Sequence, residues 1–291
     1  MKIVIARSGG FCWGVKRAVN MAIEAAKEKG VVYSLGELIH NPQEIRRLES
    51  LGIKKIDSVD EIIPETTVII RSHGVPPKTI KALKEKNVEI IDATCPFVKA
   101  IQDKAVSLEK EHFPVCILGN SKHPEVIGIA GHVRDPLILE TKEDVEKLPE
   151  MPKLGVVCQT TLNSEFLSLA TSILVQKIKE IKIYNTICKA TKVRQEEARK
   201  LAHEVDLMII IGGKNSSNTT KLYLISKKVN KNSYHIESAD EIKEEWFDNI
   251  KSVGITAGAS TPQWIIEEVV GRVETISKGG QAVERGFCKT T

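Results

Sequence analysis

One pattern occurs three times along this chain: a β-branched apolar run ends in a short loop that carries a cysteine, and a helix-like segment follows. The cysteines are Cys12 after KIVIARSGGF, Cys95 at the end of VEIIDATC, and Cys188 at the end of IKIYNTIC. Apolar runs that alternate with amphipathic segments are typical of an α/β fold with largely parallel sheets. Because the pattern repeats, we expect three similar α/β domains, each presenting one thiol beyond the end of a strand.

The repeat also predicts the domain boundaries. We expect the first domain over residues 13–95, the second over 96–188, and the third over 189–277 together with residues 1–12. The first two units end in a strand that leads to the next cysteine, but the third has no closing strand of its own. We therefore expect residues 2–6 to close the third sheet.

Apolar periodicity predicts the individual elements. Strand-like runs occupy residues 31–35, 68–71, 88–92, 115–118, 155–158, 207–211 and 252–256. Amphipathic helical segments occupy residues 15–29, 77–86, 98–111, 165–179, 194–204 and 262–277. The tail over residues 278–291 is rich in glycine and polar residues, so we expect it to be flexible.

Composition and charge narrow the classes of function. A hydrophobic content of 42% and a charged content of 27% are ordinary for a soluble globular protein. The net charge of +4 comes from scattered lysines and arginines, which disfavours a nucleic-acid partner. No apolar run reaches the ~18–20 residues of a membrane helix, and the N-terminal run is too short for a signal peptide. We expect a cytoplasmic protein whose cysteines are ligands, catalytic groups or packing residues rather than disulfides.

Polar loops recur at two positions in each unit. The first lies 28 residues after each cysteine, beyond an apolar run that ends in glycine, and carries His40, His123 or Ser216. The second follows a later apolar run and carries His73, Thr160 or Ser260. Each residue alone has an ordinary explanation in turn or helix-cap chemistry. As a set they predict a pocket of neutral hydrogen-bond donors that suits an anionic group such as a diphosphate.

The thiols fit an iron–sulfur cluster when separate domains each supply one ligand. The chain contains no CxxC, which disfavours a ferredoxin-type cluster, a zinc ribbon and the radical-SAM signature. Three ligands would leave one iron of a four-iron cube open to act as a Lewis acid. The alternative is that the cysteines are buried packing residues. That alternative suits Cys116; spacing alone does not decide for Cys158, and Cys288 has no evident role.

Glu125 is the one carboxylate of these loops that we interpret as catalytic. It lies two residues after His123, where it could donate a proton beside a reducing cluster. The alternative is a solvent-facing glutamate in the first turn of a helix, stabilised by the helix dipole.

Nine motifs occur in a fixed order: GGFCWGVKRAV, LIHNPQ, RSHGVPP, IDATCP, HPEVIG, QTTL, NTICKAT, GGKNSSNT and TAGASTP. In that order they resemble the 4-hydroxy-3-methylbut-2-enyl diphosphate reductase (IspH/LytB) family, which carries out the last step of the non-mevalonate (MEP) isoprenoid route. The resemblance runs from about residue 3 to residue 277. One departure is Trp13, where phenylalanine is more frequent, but an aromatic side chain is kept.

The resemblance implies three domains in a pseudo-threefold arrangement around a central [4Fe-4S] cluster, one per subunit, held by Cys12, Cys95 and Cys188. It implies that the diphosphate is bound by His40, His73, His123, Ser216, Ser217, Asn218 and Ser260, and that Thr160 helps to hold the substrate's hydroxyl group. Glu125 would relay protons as a catalytic residue, together with Thr160 and His123. The implied reaction is a two-electron reductive dehydroxylation to isopentenyl and dimethylallyl diphosphate, with ferredoxin or flavodoxin as electron donor and no nucleic-acid or membrane partner.

Three alternatives stay open at this point. One is a three-cysteine [4Fe-4S] dehydrating synthase of the quinolinate synthase kind, which needs no net electron input. The second is a non-catalytic iron–sulfur sensor, which would need neither the histidines nor Glu125. The third is a cluster-free α/β protein whose cysteines only pack.

Overall fold

The computed structural model describes residues 1–277 and 284–288, and in this part of the chain every strand pairing is parallel. The strands are β1 (Lys2–Ile5), β2 (Val32–Leu35), β3 (Ile53–Ile56), β4 (Thr67–Ile70), β5 (Glu89–Asp92), β6 (Val115–Leu118), β7 (Leu137–Leu139), β8 (Met151–Cys158), β9 (Ile178–Ile183), β10 (Leu207–Ile211), β11 (Ser233–Ile236), β12 (Ser252–Ala257) and β13 (Glu284–Phe287). The α-helices are α1 (Trp13–Lys29), α2 (Pro42–Ser50), α3 (Pro77–Glu85), α4 (Pro96–Lys110), α5 (Pro124–Ala130), α6 (Lys142–Lys147), α7 (Ser164–Lys177), α8 (Lys189–Glu204), α9 (Ser217–Val229) and α10 (Gln263–Ser277). None of the described helices is long and apolar enough to cross a membrane.

Three parallel sheets share one strand order. The orders are β3-β2-β4-β5, β7-β6-β8-β9 and β11-β10-β12-β1-β13. In the first two sheets the chain starts at an inner strand, moves to one edge, and then crosses to the other side of the starting strand. In the third sheet β10, β11 and β12 follow the same path, β1 takes the fourth place, and β13 is added beyond it. This common order is the physical basis of the sequence repeat, and it confirms the predicted α/β fold with three parallel sheets.

Contacts divide the chain into two compact units. The first unit contains Met1–Val15, Ile39–Arg46 and Lys189–Thr291, and it holds the sheet of β1, β10, β11, β12 and β13. The second unit contains Lys16–Leu38 and Arg47–Cys188, and it holds the other two sheets. The short segment Ile39–Arg46, which carries a predicted site histidine, thus belongs to the unit of the third sheet.

The first strand closes the third sheet, as the repeat predicted. In β1, Ile5 pairs with Ile255 of β12, so the N-terminal strand belongs to the last repeat. The prediction of a flexible tail is wrong for Glu284–Phe287, which pair with the other side of β1 as β13. The physical reason is that β1 offers an unpaired edge, and even a glycine-containing segment can satisfy its N–H and C=O groups. Residues 278–283 and 289–291 of the predicted tail lie outside the described residues.

Strand β10 shows why these segments form buried strands. All five of its residues, Leu-Met-Ile-Ile-Ile, are buried, which is typical of a parallel strand covered on both faces. Successive side chains point to opposite faces of the strand. Ile209 packs in the core that contains Ile265 of α10, whereas Met208 packs in the core that contains Leu201 of α8. Packing on both faces of β10 therefore holds its carboxyl end, from which the next loop starts.

Candidate functional site

Each predicted cysteine ligand lies immediately before a helix. Cys12 precedes α1, Cys95 is the N-terminal cap residue of α4, and Cys188 precedes α8. The first turn of a helix has unsatisfied N–H groups and a positive dipole end, which favour a thiolate. In α1 the N–H of Val15 points at the Cys12 sulfur, with 3.4 Å between N and Sγ. The donor set therefore fits a metal centre that needs deprotonated sulfur.

The same backbone hydrogen bond fixes all three cysteines. The N–H of each cysteine donates to a carbonyl in the polar loop that follows a neighbouring strand of its sheet. The N···O distances are 3.1 Å for Cys12 to Ala259, 3.0 Å for Cys95 to Ser72 and 3.0 Å for Cys188 to Thr160. Each thiol is thus tied to the polar loop of its own sheet that carries Ser260, His73 or Thr160, respectively. Counting forward along the sequence had instead grouped Cys12 with His73, Cys95 with Thr160 and Cys188 with Ser260.

The remaining cysteines have a different environment. Cys12, Cys95 and Cys188 are partly exposed, whereas the other three cysteines are buried. Burial raises the pKa of the Cys116 thiol far above its ordinary value, with a smaller contribution from Cys158. Both side chains belong to the hydrophobic core around β8, which supports the packing interpretation for Cys116 and extends it to Cys158.

The tail cysteine, Cys288, has a structural environment that the sequence did not reveal. It is buried directly after β13, and its N–H donates to the Ile5 carbonyl with an N···O distance of 3.1 Å. Burial raises the pKa of its thiol, and Glu197 and Glu204 act in the same direction. A thiol in this environment is a poor candidate for a metal ligand.

Glu125 is buried rather than solvent-facing. Its side chain is 2% exposed, and it accepts two hydrogen bonds of 2.6 Å from Thr160, one from the backbone N–H to Oε1 and one from the hydroxyl to Oε2. The interpretation as an exposed first-turn glutamate is therefore wrong. The structure brings this carboxyl group and the Thr160 hydroxyl into direct contact, so a proton can pass between them.

His123 caps the helix that carries Glu125. Its Nδ1 accepts a hydrogen bond from the Glu125 N–H at 3.2 Å, so the lone pair on Nδ1 is used within the protein. The neutral ring then carries its proton on Nε2, which can donate to a bound oxygen. The His73 ring lies edge-on to the His123 ring, with 5.3 Å between centroids. Two of the predicted binding histidines are therefore adjacent within the second unit.

Glycines bring the His73 loop and helix α5 together. A Cβ on Gly128 would lie 3.3 Å from the His73 carbonyl oxygen. A Cβ on Gly74, which has a φ of +72°, would lie 2.7 Å from Nε2 of Gln102. The left-handed backbone favours glycine at Gly74, and the tight contact with the His73 carbonyl disfavours a larger residue at Gly128.

The first unit brings together His40 of the first repeat and the predicted site residues Ser216 and Ser260 of the third. The Ser260 hydroxyl donates to the His40 carbonyl at 3.0 Å and lies 3.5 Å from the Ser216 hydroxyl. Ser216 is also the N-cap of α9, where its hydroxyl accepts from the Thr219 N–H. A Cβ on Gly213 would lie 2.6 Å from the His40 carbonyl oxygen, so only glycine allows this packing.

Asn218 carries the clearest sign of a missing ligand. Its side chain is 5% exposed, and within the described residues neither Nδ2 nor Oδ1 has a hydrogen-bond partner. A buried polar group without a partner costs about 1–3 kcal/mol. Ser217 begins α9 beside it, at a helix end that favours anions. Both residues fit the predicted contacts with a diphosphate.

The sequence did not reveal that the buried Glu44, four residues after His40, pairs with the partly buried Trp264. Glu44 of α2 is fully buried, and its Oε2 accepts a hydrogen bond of 2.9 Å from Nε1 of Trp264 in α10. The Glu44 N–H in turn donates to Oδ1 of Asn41 at 2.9 Å. These contacts hold the segment that carries His40. No local pattern signals them, because the two partners are 220 residues apart.

Comparison with known families and sequences gives one consistent result. The profile of the family described as LytB protein matches residues 3–274 of this chain. A protein of Aquifex aeolicus (strain VF5) named 4-hydroxy-3-methylbut-2-enyl diphosphate reductase is 50% identical over 282 residues, which are 95% of this chain and 97% of that protein. A protein of the same name from Syntrophotalea carbinolica is 46% identical over 280 residues, covering 96% of this chain and 100% of that protein.

Solved structures agree with the sequence comparison. A structure of (E)-4-hydroxy-3-methyl-but-2-enyl diphosphate reductase, described as the terminal enzyme of the non-mevalonate pathway, has a TM-score of 0.71 and 49% identity, covering 94% of this chain and 99% of that chain. The E-1-hydroxy-2-methyl-but-2-enyl-4-diphosphate reductase of Plasmodium falciparum has a TM-score of 0.91 and 27% identity, covering 99% of this chain and 92% of that chain.

Proposed function

This chain belongs to the LytB protein family, and we propose that it is a 4-hydroxy-3-methylbut-2-enyl diphosphate reductase. The resemblance predicted from the nine motifs is thereby confirmed. The enzyme is an iron–sulfur oxidoreductase of the non-mevalonate isoprenoid route. Its substrate takes up two electrons and two protons, the allylic C–O bond breaks, and water leaves together with isopentenyl diphosphate or dimethylallyl diphosphate.

We assign Cys12, Cys95 and Cys188 as the ligands of one [4Fe-4S] cluster per subunit. Support comes from their chemistry: all three are partly exposed at helix starts, whereas Cys116 and Cys158 are buried in a hydrophobic core. When bound, such a cluster supplies electrons one at a time. One of its irons would have no protein ligand and could polarise a substrate oxygen.

The diphosphate end of the substrate is assigned to the donor-rich loops, whose residues are His40, His73, His123, Ser216, Ser217, Asn218 and Ser260. Thr160 is assigned to the hydroxyl end of the substrate. Nδ1 of His123 is used as the helix cap, so Nε2 is the ring nitrogen that we assign to the contact with the substrate. The unpartnered amide of Asn218 gains a partner when a phosphate oxygen binds. Anchoring the charged end lets binding energy position the reacting end.

Glu125 and Thr160 are assigned to proton delivery, and their contact is the observation that carries the proposal. The carboxyl group is enclosed and touches one hydroxyl through Oε2 at 2.6 Å. A protonated Glu125 can pass its proton to the departing hydroxyl through Thr160, so that oxygen leaves as water rather than as hydroxide. General acid catalysis of this kind contributes ~10²–10⁴-fold to a rate.

An external electron carrier and the cellular location complete the proposal. The sequence GGKN after β10 is not the GxGxxG of a nicotinamide or flavin site. We therefore assign ferredoxin or flavodoxin as the donor, and we place the enzyme in the cytoplasm.

The test is an anaerobic assay of the reconstituted full-length protein with the hydroxylated diphosphate and a chemical reductant. We expect Glu125→Gln to retain its iron and bind substrate but to lose at least ~10²-fold in turnover. The matched control is Glu143→Gln, which changes an exposed first-turn glutamate of α6 and should turn over normally.

Three results would contradict the proposal. Turnover without added reductant would favour a dehydrating synthase of the quinolinate synthase kind. A near-normal rate in Glu125→Gln would show that another group delivers the proton. A colourless protein that takes up no iron on reconstitution would favour the cluster-free alternative.

A further inference from the structure

Two charged residues of α8 reach back to the loop that leads to Cys12. The helix begins at Lys189, directly after Cys188, and Arg194 and Glu197 are three positions apart on one face of it. Their partners are residues 7–10, which connect β1 to the cysteine loop. One face of α8 therefore contacts the segment that precedes Cys12, while the start of the same helix directly follows Cys188.

Glu197 binds the first half of this loop. Its Oε1 accepts the Arg7 N–H at 2.7 Å, and its Oε2 accepts the Ser8 N–H at 2.9 Å. The Ser8 hydroxyl also donates to Oε2. Both N–H groups lie just beyond β1, where sheet pairing has ended, so the carboxylate replaces the lost backbone acceptors.

Arg194 binds the second half of the loop. The side chain is 6% exposed, and its Nη2 donates to the Gly10 carbonyl at 2.8 Å while Nη1 donates to the Ala190 carbonyl at 3.0 Å. Gly10 has a φ of +95°, and a Cβ there would lie 3.3 Å from Cδ1 of Ile266. The left-handed backbone turns this carbonyl toward the guanidinium, two residues before Cys12.

We propose that Arg194 and Glu197 are positioning residues that clamp residues 7–10 and so fix the orientation of the Cys12 thiol. The proposal rests on the assignment of Cys12 as a cluster ligand. The hydrogen-bonding groups of the clamp match those of the loop. The carboxylate accepts from N–H groups at one end of the loop, and the guanidinium donates to a C=O group at the other. Neither residue is assigned a contact with substrate or a step in the reaction.

The test compares Glu197→Gln with the adjacent control Glu196→Gln, since Glu196 is exposed on the same helix. Anaerobic, reconstituted full-length protein is mixed with an iron chelator, and the rate of cluster loss is followed by absorbance. Residues that orient metal ligands change metal affinity by ~10–100-fold, so we expect Glu197→Gln and Arg194→Met to lose the cluster at least ~10-fold faster than the control. Arg194→Lys keeps the charge but has a single donor nitrogen, so its rate of cluster loss should fall between those of wild type and Arg194→Met.

Hydrogen exchange of the cluster-free full-length protein separates the clamp from general stability. We expect the amides of Arg7 and Ser8 to exchange faster in Glu197→Gln, while the amides of β10 remain as protected as in the control. Equal rates of cluster loss in Glu197→Gln and Glu196→Gln would overturn the proposal, as would unchanged exchange at residues 7–8. If the wild-type protein takes up no cluster, the proposed cofactor fails, and the exchange result still decides whether the clamp exists.

Discussion

The hydrogen bond between the buried Glu44 and the partly buried Trp264 gives the sharpest quantitative prediction. Replacing Trp264 by phenylalanine removes the N–H that lies 2.9 Å from Oε2 of a fully buried carboxylate. A hydrogen bond to a charged group contributes about 1.5–3 kcal/mol, which corresponds to a factor of about 10–150 in an equilibrium constant. The smaller ring also loses packing, so we expect the free energy of unfolding to fall by about 2–4 kcal/mol.

A double-mutant cycle isolates the hydrogen bond from the other contacts of both residues. The variants Trp264→Phe, Glu44→Leu and the double variant are unfolded in urea, and the transition is followed by circular dichroism. We expect a coupling energy of about 1.5–3 kcal/mol, because the double variant removes both the indole N–H and the carboxylate that accepts from it. The loosened His40 segment should also raise KM for the diphosphate more than it lowers kcat. A coupling energy below about 0.5 kcal/mol would refute the reasoning, since it is the level expected of independent sites.

Three further predictions concern the cysteines and the diphosphate loop. Serine in place of Cys12, Cys95 or Cys188 should each reduce iron content after reconstitution, measured colorimetrically, whereas Cys116→Ser should leave it unchanged. In cluster-free protein at pH 8, mass spectrometry should find that Cys12, Cys95 and Cys188 are alkylated first. Cys116 should react slowly, because burial raises the pKa of its thiol and little thiolate is present. Early alkylation of Cys116 would contradict its burial. Asn218→Leu should raise the melting temperature, because it removes an unsatisfied buried amide, and should weaken pyrophosphate binding in calorimetry by about 10-fold or more; unchanged affinity would remove Asn218 from the site.

The strand repeat was predictable because apolar runs mark buried parallel strands directly. The edge strand β3, with the sequence Ile-Lys-Lys-Ile, was missed because a short half-exposed strand carries little apolar signal. Strand β13 was missed because its glycine and charges resemble a tail. Helix α8 begins at Lys189 rather than at residue 194, since its first turn is polar and looks like a loop.

The sequence could predict which loops form the candidate site, but not which residues contact each other there. Spacing identified the thiols and the polar loops, since the threefold repeat places them at equivalent strand ends. It did not decide whether Glu125 faces solvent, because burial depends on packing against Thr160, 35 residues away. The Glu44–Trp264 pair and the Arg194–Glu197 clamp join distant segments, and no periodicity encodes such partners.

The position of β1 between β12 and β13 has a consequence for synthesis on the ribosome. Lys2 pairs with Ser252, so about 250 residues must be made after it before its partner exists. At ~5–20 residues per second, the first strand waits roughly 12–50 s with both edges unpaired. The two sheets of the second unit draw their strands from residues 32–183 and can form during that wait. The last sheet to form is therefore the one that begins with the first residues of the chain, and its opening strand is the segment most exposed to mispairing or to chaperones during translation.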